Sequence, residues 1–406
     1  MVPPPFIYIM HAFKLVTQSL RAFFRRNLQP QPGLALDYAF PGTPAGPTVL
    51  IIADELRATY YLAFHLVLEK LHHLRGLSFY TVSSQSVQQA VGTHSDDAPK
   101  WINDLLQTVH PNLVVFSRYS LPHGEALLNG VRAARIPTAY YIDDDLIDLP
   151  DSLGQSVQKR HGNTQVLQAR KYLLSQVDQV YTSTPYLQNH LTQKLSGSQP
   201  LVLSTYPPYL NHLIQVKQRS KPRPLTIGYM ASKGHAQDLA MIVPALCQIL
   251  TDYPHVRFET FGTITMPQKL SAFSDQVAAH QGTGDYQQFL QKLYDLNWAI
   301  GLAPLQDTPF NRCKSPVKFI EYTSCGIPTL ASDINVYNQF CDRVEICLAT
   351  PKGWYSALKN LIDHADLRHA LVKSAQTKCE ADFSLEKIAD DVFNALSSYF
   401  NSHELI

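Results

Sequence analysis

The sequence predicts an α/β protein of two successive domains, each a parallel sheet with helices on both faces. Three observations carry this expectation. The 406 residues exceed what one hydrophobic core usually serves. Short apolar runs alternate with longer helical stretches, the pattern of parallel strands joined by crossover helices. That alternation breaks once, at Tyr206-Pro207-Pro208-Tyr209 and the basic, proline-bearing stretch Lys217 to Pro224, and then restarts.

The elements follow in order. After a Pro/Gly-rich stretch, Pro41 to Pro47, the run Thr48 to Ala53 reads as a buried parallel strand, and residues 57–74 as a helix. Further strands fall at Leu113 to Phe116, Thr138 to Ile142 and Gln179 to Thr182, with helices at Glu125 to Arg135 and Val166 to Leu174. Past the break come strands at Leu225 to Tyr229, Val256 to Phe261, Trp298 to Leu302 and Pro328 to Ala331. The helix between the first two, Asp238 to Leu250, should bend at Pro244. In the last segment Leu385, Ile388, Val392, Phe393 and Leu396 recur at helical spacing, and this helix could pack on either domain. The expected organisation is an extension over 1–44, a first domain over 45–205, a linker over 206–224, a second domain over 225–383 and a terminal helix over 384–406.

Composition removes several classes of function. A formal net charge of +1 gives no global drive toward nucleic acid. The six cysteines all lie in the second half, none in a C-x-x-C pair and none at ligand-like spacing to a histidine. Reduced thiols are therefore expected, with neither a zinc site nor a disulfide framework. No apolar run reaches the length of a membrane span, and no secretory signal pattern is present, so a cytoplasmic protein is expected. Residues 6–28 mix Phe13, Leu15, Leu20, Phe23 and Phe24 with Lys14, Arg21, Arg25 and Arg26. Such a basic amphipathic segment can lie peripherally on an anionic inner membrane face. The plainer reading, an extra helix packed on its own domain or a mobile terminus, is preferred.

Ligands of open α/β sheets sit beyond the carboxyl ends of the strands, so chemistry is sought there. The richest such stretch runs from Phe310 to Asp333. Ser315 suits an N-cap, Pro316 the first helical position, Gly326 the residue past the helix, and Pro328 a stop. The helix start offers free N–H groups beside Arg312, Lys314 and Lys318, a setting for an anionic group such as a diphosphate. Lys318 and Glu321, three apart, share a helix face, which would place a phosphate cation beside a carboxylate for sugar hydroxyls. An isolated Lys/Glu pair would be a surface salt bridge; the whole string is more specific.

This segment resembles the signature of retaining glycosyltransferases of family 4, enzymes of the GT-B fold in which two Rossmann-like, doubly wound domains face each other across a cleft. Glu321, with Ser324-Cys325-Gly326-Ile327-Pro328 and Ala331-Ser332, matches the second half of that signature. The resemblance implies that Glu321 hydrogen-bonds the nucleotide ribose. It also implies a glutamate eight positions earlier, touching the transferred sugar, where this chain has Cys313. Asp307 and Asn311 lie close enough in sequence to substitute for it. The stretch Ile227 to His235 resembles the first strand-to-loop element of the nucleotide domain, with Lys233 near the phosphates, and Gly262 and Thr263 are candidates for the base and ribose pocket. For both of these, an ordinary turn explains the residues equally well.

In the first domain Asp143, Asp144, Asp145 and Asp148 follow a strand. A metal site is disfavoured there because adjacent carboxylates point to opposite faces. Acceptor binding or proton handling by Asp143 and simple capping of the next turn remain open. Arg118, with Tyr119 and His123, and Glu55 with Arg57, follow other strands and face the expected cleft.

The resemblance thus implies hexosyl transfer with retention from a nucleoside diphosphate sugar to a glycan, lipid or small-molecule acceptor, without metal or added cofactor. Asp143 and Lys318 are the expected catalytic residues; Glu321, Lys314, Lys233, Ser315, Asn311 and Arg118 the expected binding residues. The alternatives are a sugar-nucleotide or glycan binder without turnover, favoured by Cys313, and an epimerase or phosphorylase of the same fold.

Overall fold

The computed structural model describes residues 35–92, 95–195, 200–202, 207–216 and 223–400. The basic amphipathic segment at 6–28 lies outside them, as do residues 206 and 217–222 of the expected linker. Among the described residues no helix is long and apolar enough to cross a membrane.

The first sheet contains β1 (Tyr38–Phe40), β2 (Thr48–Ala53), β3 (Ser78–Ser83), β4 (Leu113–Ser117), β5 (Thr138–Ile142), β6 (Gln179–Thr182) and β7 (Pro200–Val202). Their order is β1-β3-β2-β4-β5-β6-β7, with β1 antiparallel to β3 and the other pairs parallel. Because β1 belongs to it, this sheet starts before residue 45. The second sheet contains β8 (Thr226–Ala231), β9 (Arg257–Gly262), β10 (Val277–His280), β11 (Ile300–Ala303), β12 (Thr329–Ser332) and β13 (Cys347–Ala349). It is parallel throughout, in the order β10-β9-β8-β11-β12-β13. Both sheets are doubly wound. Strand order reverses between β2 and β4 in one and between β8 and β11 in the other, and such reversal points open a crevice beyond the strand ends.

The central strands were legible because they are covered on both faces; Val49 to Ala53 are wholly buried. β3 escaped notice because its pattern is interrupted by polar residues that are nonetheless buried. Thr81 is buried against the Tyr60 hydroxyl at 2.7 Å, and the Ser83 N–H donates to Asp37 at 2.6 Å. β10 and β13 are short edge strands with too little pattern to read.

The helices used below are α1 (Leu66–Arg75), α2 (Pro185–Thr192), α3 (Ala236–Asp252), α4 (Tyr286–Leu296), α5 (Val317–Ser324), α6 (Trp354–Asp363), α7 (Ala365–Asp382) and α8 (Leu385–Phe400). α3 continues through Pro244. α8 resolves an expectation left open: it packs on the first domain. Ile388, Val392 and Leu396 are buried there, Arg75 of α1 pairs with Asp390 at 2.7 Å, and its guanidinium lies 4.5 Å from the Phe393 ring centre. One apolar cluster joins Val49 and Phe79 of the first domain to Phe319 and Ala331 of the second through Ile388 and Leu396. The last helix therefore straps the second domain to the first.

Candidate functional site

The carboxyl ends of both sheets face a cleft of about 520 Å³ between the domains, near both reversal points. The first domain contributes Arg118, Asp144, His161 and His190, and the second His235, Asn311 and Lys314, among others. At the floor of the second domain, Gly262 has φ +117°, and a Cβ there would stand 2.4 Å from the Ala231 carbonyl oxygen. Only glycine allows the β8 and β9 loops to close so tightly.

The segment leading to α5 is held by local caps. Thr308 Oγ1 accepts from the Asn311 N–H at 3.1 Å and starts the short turn Pro309–Arg312. α5 itself begins at Val317, with Pro316 as the N-cap residue and no side-chain cap bond. Ser315 therefore does not cap the helix as expected: it stands one residue too early to reach the first free N–H groups, which stay available. The far end matches expectation. Gly326 has φ +69°, its N–H donates to Thr323 O at 3.0 Å, and the Ile327 N–H donates to Tyr322 O at 2.9 Å. This is the paired closure of a left-handed helix cap.

Burial and charge set the state of the α5 side chains. Removal from water, with repulsion from Lys314, pushes the Lys318 ammonium down to about 8. Lys318, then burial, holds His235 down to about 4, so His235 is neutral near pH 7. Glu321 is buried and accepts a hydrogen bond from the Tyr286 hydroxyl at 2.8 Å. Burial pushes its carboxyl up to about 7, against the opposing pull of the Tyr286 bond and Lys318. Lys314 lines the cleft, and on α5 Lys318 is half-buried and Glu321 buried. The Tyr286 ring meets the Tyr61 ring of the first domain at 5.5 Å.

The acidic run after β5 divides its labour. Asp144 faces the second domain, its Oδ1 3.1 Å from Lys314 Nζ. Burial acts to raise the Asp144 carboxyl, but Lys314 and Arg118 outweigh it and hold it below the ordinary value. Asp143 turns the other way, to the Thr59 hydroxyl at 3.2 Å and Arg118 Nε at 3.4 Å, and burial raises its carboxyl. The expected cleft carboxylate, Asp143, is thus replaced by its neighbour, since successive side chains at a strand end project to opposite sides. Asp145 is buried; its Oδ2 lies 2.6 Å from His190 Nε2 of α2, and its Oδ1 accepts from the Ile147 and Asp148 N–H groups. Asp145, His190 and Cys313 bring ligand-type atoms within 4.8 Å of one another. Lys194 Nζ, 3.6 Å from Asp145, already supplies positive charge there.

The remaining expected residues are placed as follows. Arg118 and Asn311 line the cleft. The Asn311 amide donates to Asp238 Oδ1 at 3.1 Å and Gln306 O at 3.0 Å, which fixes the cleft wall. Lys233 is exposed at the rim, and its N–H donates to Thr263 Oγ1 at 3.2 Å. Asp307 points away, held in a two-point pair by Arg312 at 2.6 and 2.8 Å, so it does not substitute for the missing glutamate. Cys313 is fully buried, packs among first-domain apolar residues, and its carbonyl accepts from Thr184 Oγ1 at 3.0 Å.

Sequence reasoning missed His190, Tyr286 and the His235–Asp238 pair, joined at 2.9 Å. The i, i+3 spacing of that last pair just after β8 was a usable signal. Nothing in sequence pairs His190 with Asp145 or Tyr286 with Glu321, because these partners are remote.

Comparison with known proteins agrees with this geometry. Residues 243–394 match a family described as glycosyl transferase-like. No curated protein sequence matches the chain. Among solved structures, HepE of Anabaena in complex with UDP and glucose superposes with a TM-score of 0.59 at 13% identity, covering 87% of this chain and 100% of that one. A glycosyltransferase from Rickettsia africae gives 0.62 at 12%, covering 88% and 99%. TarM gives 0.52 at 12%, covering 75% and 58%. The fold is that of GT-B glycosyltransferases.

Proposed function

We propose that this chain transfers a sugar from a nucleoside diphosphate sugar to an acceptor bound on the first domain. The observation that carries the reading is the electrostatics of the α5 start. Lys314 stands close enough to disfavour the charge of Lys318, and Lys318 is half-buried at the start of a helix whose first N–H groups carry no side-chain cap. A pyrophosphate entering the cleft would answer both charges and the helix terminus together.

In this reading Lys314 and Lys318 offset the negative charge that grows on the departing diphosphate, and Lys233 and Ser315 complete the donor side at the rim. Glu321, held by Tyr286, takes the ribose hydroxyls. Arg118 and Asp144 face the sugar and the acceptor, while Asp143 orients Arg118. Asn311 stiffens the wall against Asp238. Retention at the anomeric carbon and a hexosyl donor come from the resemblance to family 4. Because HepE is bound to UDP and glucose in its crystal, UDP is the first nucleotide to try.

A second reading is favoured by one observation: Cys313, where the resemblance places a sugar-contacting glutamate, is fully buried beside Asp145 and His190 and bears no carboxylate. A binder without turnover would keep the diphosphate site and lose this contact. Melting temperature with UDP, GDP and ADP, followed by assay of UDP release from UDP-sugars with and without acceptors, separates the two. Stabilisation with turnover supports transfer; stabilisation alone supports the binder. If no nucleoside diphosphate stabilised the protein, or if Lys318→Ala bound as tightly as wild type, both readings would fail.

A further inference from the structure

The cleft opens beyond the carboxyl ends of β8, β11 and β12. A separate cavity of about 480 Å³ lies at the opposite ends of the same strands, lined by Leu225, Ala299 and Pro328, each immediately preceding one of them. Strands of this length set the two sites on the order of 15–20 Å apart. The distal cavity is therefore no part of the donor site.

Its charge is one-sided. Arg223, Arg368, His369 and Lys373 line it, with Asn297 and Gln376 as further polar groups, and no aspartate or glutamate is among the lining residues. Among the described residues none of the four basic groups forms an ion pair. Two of them have partial partners only. Arg223 Nη1 donates to the Leu296 carbonyl at the end of α4, and Arg368 Nη1 donates to the Ile362 carbonyl, 3.0 Å away, at the end of α6. Each guanidinium carries five N–H donors, so most of its fork is left over. Burial alone lowers Arg368 from its ordinary value. A charge drawn partly out of water without a carboxylate beside it is an unfavourable arrangement that a bound anion would relieve.

We infer that this cavity binds a phosphate-bearing ligand, gripped by the Arg223 and Arg368 forks with Lys373 and His369 at the rim. Phosphate suits planar guanidinium forks, and its several oxygens can engage residues from the β8 approach and from α7 at once. The volume exceeds that of the phosphate alone, leaving room for the group that carries it. The carrier is either a lipid, whose headgroup would dock this face on a membrane, or a free phosphorylated compound. Gly326, past the end of α5, also lines the cavity, so an occupant would touch the far end of the helix whose start faces the cleft.

The test uses the full chain, its H369E/K373E variant and its K314A variant. His369 and Lys373 are exposed on α7, so charge reversal there should leave the fold intact, checked by melting temperature. Inorganic phosphate is titrated calorimetrically, and co-sedimentation is measured with phosphatidylcholine vesicles with and without phosphatidylglycerol. A free ligand predicts that phosphate binds wild type and K314A alike and H369E/K373E at least about tenfold more weakly. A lipid headgroup predicts phosphatidylglycerol-dependent sedimentation of wild type and K314A that H369E/K373E loses. Equal binding of both probes by H369E/K373E and wild type, phosphate binding abolished by K314A without vesicle binding, or no binding of either probe to wild type would overturn the inference. None of these results depends on whether the cleft transfers sugar.

Discussion

Lys314 of the second domain meets Asp144 of the first across the cleft, Nζ to Oδ1, at 3.1 Å. Both side chains are largely buried, and the pair closes the space where the proposed diphosphate would sit. Asp144 thus occupies the cation that a donor needs. Replacing it with asparagine should tighten UDP binding a few-fold, whereas Lys314→Ala should weaken it at least about tenfold, roughly 1.4 kcal/mol. Calorimetric titration of UDP into both variants checks this. Weaker binding by Asp144→Asn would show that the carboxylate helps hold the donor and does not compete with it.

Burial and Lys314 oppose the charge of Lys318 and push its ammonium down to about 8. A diphosphate favours the ammonium and so raises that value. Binding above about pH 8 must then take up a proton, and affinity should fall as pH climbs through this range. Titrations at about pH 8.5 in two buffers of different ionisation enthalpy should give different heats. Identical heats would remove Lys318 from the phosphate site.

Glu321 prefers to be neutral, its carboxyl raised from 4.5 to about 7 by burial. A raised acid contributes its full share of stability below the unfolded value and loses it as pH rises through the folded one. Wild type should therefore lose stability relative to Glu321→Gln between about pH 4.5 and pH 7, by up to about 3 kcal/mol. Parallel melts of the two proteins at low and neutral pH test the sign. The glutamine variant should also bind UDP more weakly if the side chain holds the ribose.

Restoring the glutamate of the family signature at Cys313 should not restore a sugar contact. The site is fully buried and already faces Asp144 and Asp145, whose charges help push the thiol up to about 12 after burial has done so. A larger side chain bearing a like charge would be strained and desolvated there, lowering stability by several kcal/mol. Cys313→Ser should be much milder. A Cys313→Glu protein that melted with wild type would mean that this segment can turn its side chain into the cleft.

Much of the site was legible where local rules govern it. The α5 turn was readable from Gly326 and Pro328, and Lys318 and Glu321 were placed together by their spacing alone. The same rules misplaced Ser315, because one residue decides whether a side chain reaches the helix N–H groups, and they missed β3, whose polar residues find buried partners in Tyr60 and Asp37.

What the sequence by itself determined is the alternation that makes two doubly wound sheets and the string that opens α5, since helix and strand periods and cap residues act over a few positions. Which of two adjacent aspartates meets Lys314, and that Cys313 is sealed beside Asp145 and His190, only the tertiary structure decided. Asp144 and Lys314 are 170 positions apart, and their meeting depends on how the first domain docks against the second. That docking rests on the apolar face of α8 and the shared core beneath it: the face is legible from its spacing, but the surface it meets is not.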